Sequence, residues 1–276
     1  MKAKATVLCE NYVIGNNGAV AEHGWSVFLE TNEGNFLFDT GQGKAVINNA
    51  RVLNKDLSSI KGIFLSHHHF DHTGGLLDVL LDAAPVDVYA HPELFKDSYA
   101  FRGSSIDYIG IPFPQTLLES RGAQFRFNTS WQEIVPGMTL TGEVLRKSPF
   151  EKGDKDLIIL TEEGKKQDLI MDDQSLIIEN EEGLFIILGC AHAGIINIIN
   201  YAIEKTGQNH INAIIGGTHL GSVSVEQRNA SIKSLKEFDI AKIGVSHCTG
   251  LETSIRLSQE FGERFFFCNV GTVIEI

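Results

Sequence analysis

The chain has 276 residues, 43% of them apolar and 21% charged. That is one large domain or two small ones with enough length for a sizeable core, and it excludes collagen-like, coiled-coil and disordered classes. The formal net charge is −12, no block of Lys/Arg stands out, and no apolar run approaches the roughly 20 residues of a membrane span. Nucleic acid and membrane are therefore not expected as partners, whereas a small-molecule substrate is; the oligomeric state is not readable.

The N-terminal ten residues carry too short an apolar run before Glu10 to be a secretory signal. Cys9, Cys190, Cys248 and Cys268 are scattered, which predicts a reducing, cytoplasmic setting without a disulfide frame. Thr6–Glu10 and Trp25–Glu30 read as strands, and the turn at Asn32–Asn35 followed by Phe36–Phe38 predicts a hairpin. Ala45–Leu53 has helical spacing, Ile60–Leu65 is a buried strand, Leu76–Ala84 a helix and Val86–Ala90 another strand. The last third repeats this alternation, with strands at Leu184–Leu188, Ile211–Ile215 and Ile240–Val245. Helices follow at Gly194–Glu204, Val225–Phe238 and Glu252–Phe261, and Phe265–Ile276 closes with strand signals. Strands alternating with helices of this length predict an α/β layered fold. Residues 95–173 break the rhythm: they hold four of the six prolines, one helix (Gln115–Gly122) and short strands (Gln124–Phe127, Met138–Val144, Leu157–Leu160). The expected division is residues 1–94 and 174–276 as two halves of one fold, with 95–173 as an inserted α+β module.

Seven of the ten histidines fall in short neighbourhoods. The densest is Ser66-His67-His68-His69-Phe70-Asp71-His72-Thr73-Gly74-Gly75, which leaves a buried strand and enters a helix. His67 and His69 are two apart and share a direction in extended chain, whereas His68 points away. Imidazoles with a carboxylate suit zinc first, with manganese or iron as alternatives, and four candidate ligands in six positions fit two adjacent metals better than one. His192, His219 and His247 also end apolar strands, and in α/β folds ligands gather at the carboxyl ends of strands. Gly41-Gln42-Gly43-Lys44 imitates a phosphate loop but lacks its spacer and hydroxyl residue. Phe101, Arg102, Tyr108, Ile109 and Phe113 are candidates for a substrate wall or for an insertion core.

His-x-His-x-Asp-His with Gly-Gly, preceded by Phe38-Asp39-Thr40-Gly41, resembles the metallo-β-lactamase superfamily. The strings around His192, His219 and His247 are similar to a narrower branch, that of the methanogen dihydropterin–ribofuranosylaminobenzene phosphate synthase and of thermophile members with a ferredoxin-like insertion. The resemblance implies an αββα sandwich and two divalent metal ions, the first held by His67, His69 and His192 and the second by Asp71, His72 and His247. It implies catalytic roles for Asp71 and His219, and for Asp39 a role in orienting the metal loop. The bridging Asp usual in the family has no match; Cys190 occupies the comparable place, as a thiolate ligand or a buried neighbour. The expected activity is that of a dinuclear metal-dependent hydrolase acting on a small ester, phosphoester or related substrate. The alternatives are a transferase joining a dihydropterin diphosphate to an arylamine phosphate, and a non-catalytic metal or redox sensor.

Overall fold

The apolar runs of the first half pair into one sheet and those of the second half into another. A computed structural model describes residues 1–15 and 18–276. The first sheet has seven strands in the order Val273–Glu275, Ala3–Cys9, Ser26–Thr31, Gly34–Phe38, Ile60–Phe64, Val86–Ala90 and Ala123–Phe127. The first four are antiparallel and the rest parallel. The second sheet mirrors it, in the order Phe265–Phe267, Asp239–Ser246, His210–Gly217, Gly183–Ile187, Leu176–Asn180, Met138–Leu140 and Gln132–Val135. Here the first four strands are parallel and the others antiparallel.

Parallel neighbours need a crossover, and each has a helix in it. Ala45–Val52, Leu76–Ala83 and Gln115–Ser120 serve the first sheet; Ile195–Thr206, Val225–Leu235 and Leu251–Phe261 serve the second. The helix Ile195–Thr206 shows how local chemistry sets the boundaries. The buried Glu151 carboxylate accepts the N–H groups of Ile196 and Asn197 at its start, both at 3.0 Å, and Gly207 ends it in the left-handed conformation.

The inner faces of the sheets meet in a core containing Val7, Trp25, Leu29, Phe38, Phe64, Phe185 and Ile187. The outer faces pack on the helices, through Leu37, Ile63 and Val88 against Leu76, Val79 and Leu80 on one side, and through Ile186, Ile214 and Ile243 against Ile195, Ile199 and Leu257 on the other. Parallel strands covered on both faces read as continuous apolar runs, which is why Ile60–Leu65 and Leu184–Leu188 were legible. The architecture is the expected αββα sandwich.

The middle of the chain is organised differently from the expected single module. Helix Gln115–Ser120 and strand Ala123–Phe127 extend the first sheet, while Gln132–Val135 and Met138–Leu140 extend the second. A separate four-stranded antiparallel sheet is built from two hairpins, Tyr99–Arg102 with Ser105–Tyr108 and Leu157–Thr161 with Gly164–Gln167. This small sheet has no helix of its own among the described residues, so it lacks the ferredoxin-like form. The reason is physical: Leu118, Ala123, Met138 and Leu140 are buried in the two main cores, which offer more apolar surface than a small module could. Phe185→Ala empties a fully buried position between the sheets and should cost about 3–5 kcal/mol. Urea unfolding should show a lowered midpoint with an unchanged slope, and an unchanged midpoint would contradict this packing.

Candidate metal centre

Four strands of the parallel halves deliver histidines to one place. Ile60–Phe64 leads into Ser66–His72, Gly183–Ile187 into His192, His210–Gly217 into His219, and Asp239–Ser246 into His247. Ring nitrogens of His67, His69 and His192 lie within 4.8 Å of one another, and the His67 Nε2 to His69 Nδ1 distance is 3.0 Å. Beside them, His72 Nε2 is 3.3 Å from His247 Nε2, and Asp71 Oδ2 is 3.1 Å from both His247 Nε2 and His23 Nε2. Cys190 stands between the groups, its Sγ 3.2 Å from His72 Nε2. It shares one donor cluster with His67 and His72 and another with His192 and His219.

The tautomers follow from hydrogen bonding. The buried Asp39 accepts the Ser66 N–H at Oδ1 and the Ser66 hydroxyl at Oδ2, both at 2.7 Å. With its only proton committed, the Ser66 hydroxyl accepts His67 Nδ1–H at 2.8 Å, leaving the lone pair of His67 at Nε2. Asp39 Oδ2 also accepts His72 Nδ1–H at 2.7 Å, and Asn11 Oδ1 accepts His247 Nδ1–H at 3.0 Å. Those rings too present Nε2. The backbone is bent to achieve this: Asp39, Ala191, His219 and His247 are four of the six non-glycine residues with positive φ among the described residues. Strain of that kind, about 1–3 kcal/mol per residue, gathers at functional sites. Two glycines permit the close approach: a Cβ on Gly189 would strike Ser66 Oγ, and one on Gly75 would strike Thr40 O.

Charge is arranged to match. Burial, followed by repulsion among neighbouring histidines, holds His67 and His192 well below the usual imidazole range. Burial and the neighbouring His68 do the same for His69. All three are neutral donors. For Asp71, burial acts upward, but His72, His23 and His247 outweigh it and keep the carboxylate ionised. Burial lowers the proton affinity of His72 too, yet the Asp39 and Asp71 carboxylates raise its pKa to about 9. His219 is lifted to about 10 against the effect of burial, by its 3.4 Å contact with Asp154 and by Cys248. Of the two thiols, Cys190 is pushed up by burial, whereas Cys190, His219 and His247 bring Cys248 down despite burial.

The structure thus gathers His67, His69, Asp71, His72, His192 and His247, with Asp39, Cys190 and His219 alongside. His68 is turned away: its backbone N–H and its Nδ1 both meet the buried Asp172 Oδ2, at 2.7 and 2.8 Å, and Lys96 Nζ lies 3.2 Å from Asp172 Oδ1. The phosphate-loop imitation is filled from within, since Glu22 accepts the N–H groups of Gly43 and Lys44 at 2.9 and 2.7 Å. His23, Asp154 and Asp172 escaped sequence reasoning because each lies in a loop outside the histidine strings; Cys248 was visible beside His247. His23, Asp71, Asp154, His219 and Cys248 border a cavity of about 880 Å³, which Phe101, Arg102 and Ile109 also line, but Tyr108 and Phe113 do not. No described helix is long and apolar enough to cross a membrane.

With a His/Asp cluster at the strand ends of an αββα sandwich, the chain belongs to the metallo-β-lactamase superfamily, whose family model matches residues 19–167. It is 32% identical over 284 residues to the 7,8-dihydropterin-6-methyl-4-(beta-D-ribofuranosyl)-aminobenzene-5'-phosphate synthase of Methanocaldococcus jannaschii, covering 99% of this chain and 96% of that protein. It is 31% identical over 258 residues to an uncharacterized protein of the same organism, covering 93% and 94%. Among solved structures, Tm1679, described as a metal-dependent hydrolase of the beta-lactamase superfamily, superposes with a TM-score of 0.85 at 28% identity over 99% of both chains. Zinc-bound PqqB from Methylobacterium extorquens shares the fold, with a TM-score of 0.57 at 13% identity over 99% of this chain and 100% of that one. Asp39→Asn should weaken metal binding about 10–100-fold, measured by competition with a chromogenic chelator; unchanged affinity would show that Asp39 does not set the donor geometry.

Proposed function

We propose that the chain is a metal-dependent hydrolase of a small ester, phosphoester or related substrate. Its first ion would be held by His67, His69 and His192, and its second by Asp71, His72 and His247. One observation carries this reading: the buried His69 Nε2 and His192 Nε2 have no hydrogen-bond partner among the described residues, and both rings lie in one donor cluster with His67. Buried donors of this kind call for a cation. Neutral imidazoles and one carboxylate, with Cys190 adjacent, fit zinc, and iron or manganese as well. Two such ions would lower the pKa of water and polarise a carbonyl or phosphoryl oxygen.

The chain's own residues then have separable tasks. Asp39 and Ser66 hold the rings of His67 and His72 in one tautomer. Asp71 stays ionised between His23 and His247. His219, oriented by Asp154 at the cavity wall, is placed to carry a proton to a departing oxygen. His219→Gln should therefore lower kcat about 100-fold or more for esters of poorly acidic alcohols, and much less for p-nitrophenyl esters. Equal losses for both would remove the proton-donor role.

The match to the synthase over nearly the whole of both chains favours a second reading, a transferase that releases diphosphate when an arylamine attacks. Phosphorus NMR of metal-loaded protein with hydroxymethyldihydropterin diphosphate decides: release without the arylamine phosphate supports hydrolysis, and release only with it makes the chain a transferase. In either case His69→Ala should lose one equivalent of metal by elemental analysis, together with the activity. A fully active His69→Ala protein would sink the two-ion site.

A further inference from the structure

The small sheet and the metal centre enclose the same cavity from opposite sides. On the sheet side it is lined by Ala100, Phe101, Ile109 and Leu157, with Phe70 packed against the small cluster that Ala100, Ile109 and Leu157 form with Ile170. This wall is apolar and partly aromatic, and about 880 Å³ is room for a drug-sized ligand rather than a simple ester. Two of the cavity's carboxylates are answered by histidines, the buried Asp71 by His23 and His247, and the half-buried Asp154 by His219.

Arg102 has no such answer. It is the only Lys or Arg lining the cavity, it is exposed next to the hairpin tip at Gly103, and its guanidinium has no ion pair or hydrogen bond among the described residues. The exposed Asp156 on the adjoining segment lines the same cavity without pairing with it. A second cation, Lys165, has its Nζ 4.2 Å over the ring of the neighbouring Phe101, although it is not among the residues lining the cavity. In a chain of net charge −12, Arg102 is a positive group at the edge of a cavity whose other lining Asp, Glu, Lys or Arg residues are Asp71, Asp154 and Asp156.

We propose that the substrate is an elongated anion: an apolar, ring-containing body lying along Phe70, Phe101, Ile109 and Leu157, with a carboxylate or phosphate at the end remote from the reacting bond, held by Arg102 and assisted by Lys165. A planar guanidinium takes such groups in a bidentate manner, which an ammonium does not. This deepens the hydrolase reading and rests on it for the location of the reacting end.

The test uses metal-loaded protein and aryl phosphates: phenyl phosphate, then phenyl, naphthyl and biphenyl phosphates bearing a distal carboxylate, each with its carboxamide counterpart. Binding is measured by calorimetry and turnover by phosphate release. One carboxylate of suitable length should bind about 10–100-fold more tightly than its carboxamide, the range of a charge-assisted bond. Arg102→Ala should abolish that preference, so that carboxylate and carboxamide bind alike, and Arg102→Lys should restore it only in part. Lys165→Ala should reduce the preference without abolishing it. No carboxylate preference at any length, or a preference that survives in Arg102→Ala, overturns the proposal. Metal-independent binding of phenyl phosphate without turnover counts instead against the hydrolase reading, so the two fail separately. A distal phosphate series in place of the carboxylates identifies which anion the site prefers.

Discussion

The Asp39 carboxylate is the contact on which the metal loop depends. It is fully buried, and it accepts the backbone and hydroxyl protons of Ser66 and the Nδ1 proton of His72. Through Ser66 it also dictates the tautomer of His67. One side chain at the end of one strand therefore sets the orientation of two rings, which meet Cys190 in one donor cluster. The cost is a strained backbone at Asp39 itself, with φ 55°, and a requirement that Gly189, from the opposite sheet, carry no side chain. The two halves of the sandwich are fitted together at this contact.

The surrounding electrostatics follow from burial. Three imidazoles too deep to be charged offer lone pairs, while Asp39 and Asp71 place two carboxylates around His72, so the pocket favours a cation at that ring. Cys190 and Cys248 share candidate donor clusters with these histidines. A separate buried set, His68 with Asp172 and Lys96, anchors the loop from behind. Buried charges of this kind are weak stabilisers, but loss of one partner leaves another unpaired, so they enforce a single arrangement. That arrangement carries the base of the small sheet with it, because Lys96 precedes one hairpin and Asp172 follows the other.

Sequence and structure agree where a signal is local. Period-two and continuous apolar runs marked strands such as Ala3–Cys9, Ser26–Thr31, Ile60–Phe64, Val86–Ala90, Gly183–Ile187, His210–Gly217 and Asp239–Ser246, though not Leu176–Asn180 or Gln132–Val135, and the histidines at the ends of four of them converge as expected. The closing segment Phe265–Ile276 was legible as strand, but its two pieces, Phe265–Phe267 and Val273–Glu275, enter different sheets. Tyr99–Arg102, Ser105–Tyr108 and Gly164–Gln167 carry little periodic apolar signal because much of their surface is exposed. They exist because neighbouring backbone pairs with them, which no window along the chain can register.

Read alone, the chain settles its layered α/β class and the types of donor at the strand ends, including the glycines that let the metal loop close. These are written in short-range patterns, since side-chain alternation and backbone freedom depend on near neighbours. Tertiary structure decides which sheet each middle strand joins, that Glu22 occupies the imitation phosphate loop, that His23 and Asp154 reach the site, and that Arg102 faces a metal cavity without a partner. Each of these depends on residues far apart in the chain meeting at one point, and the energy of that meeting comes from burial and pairing that exist only after folding.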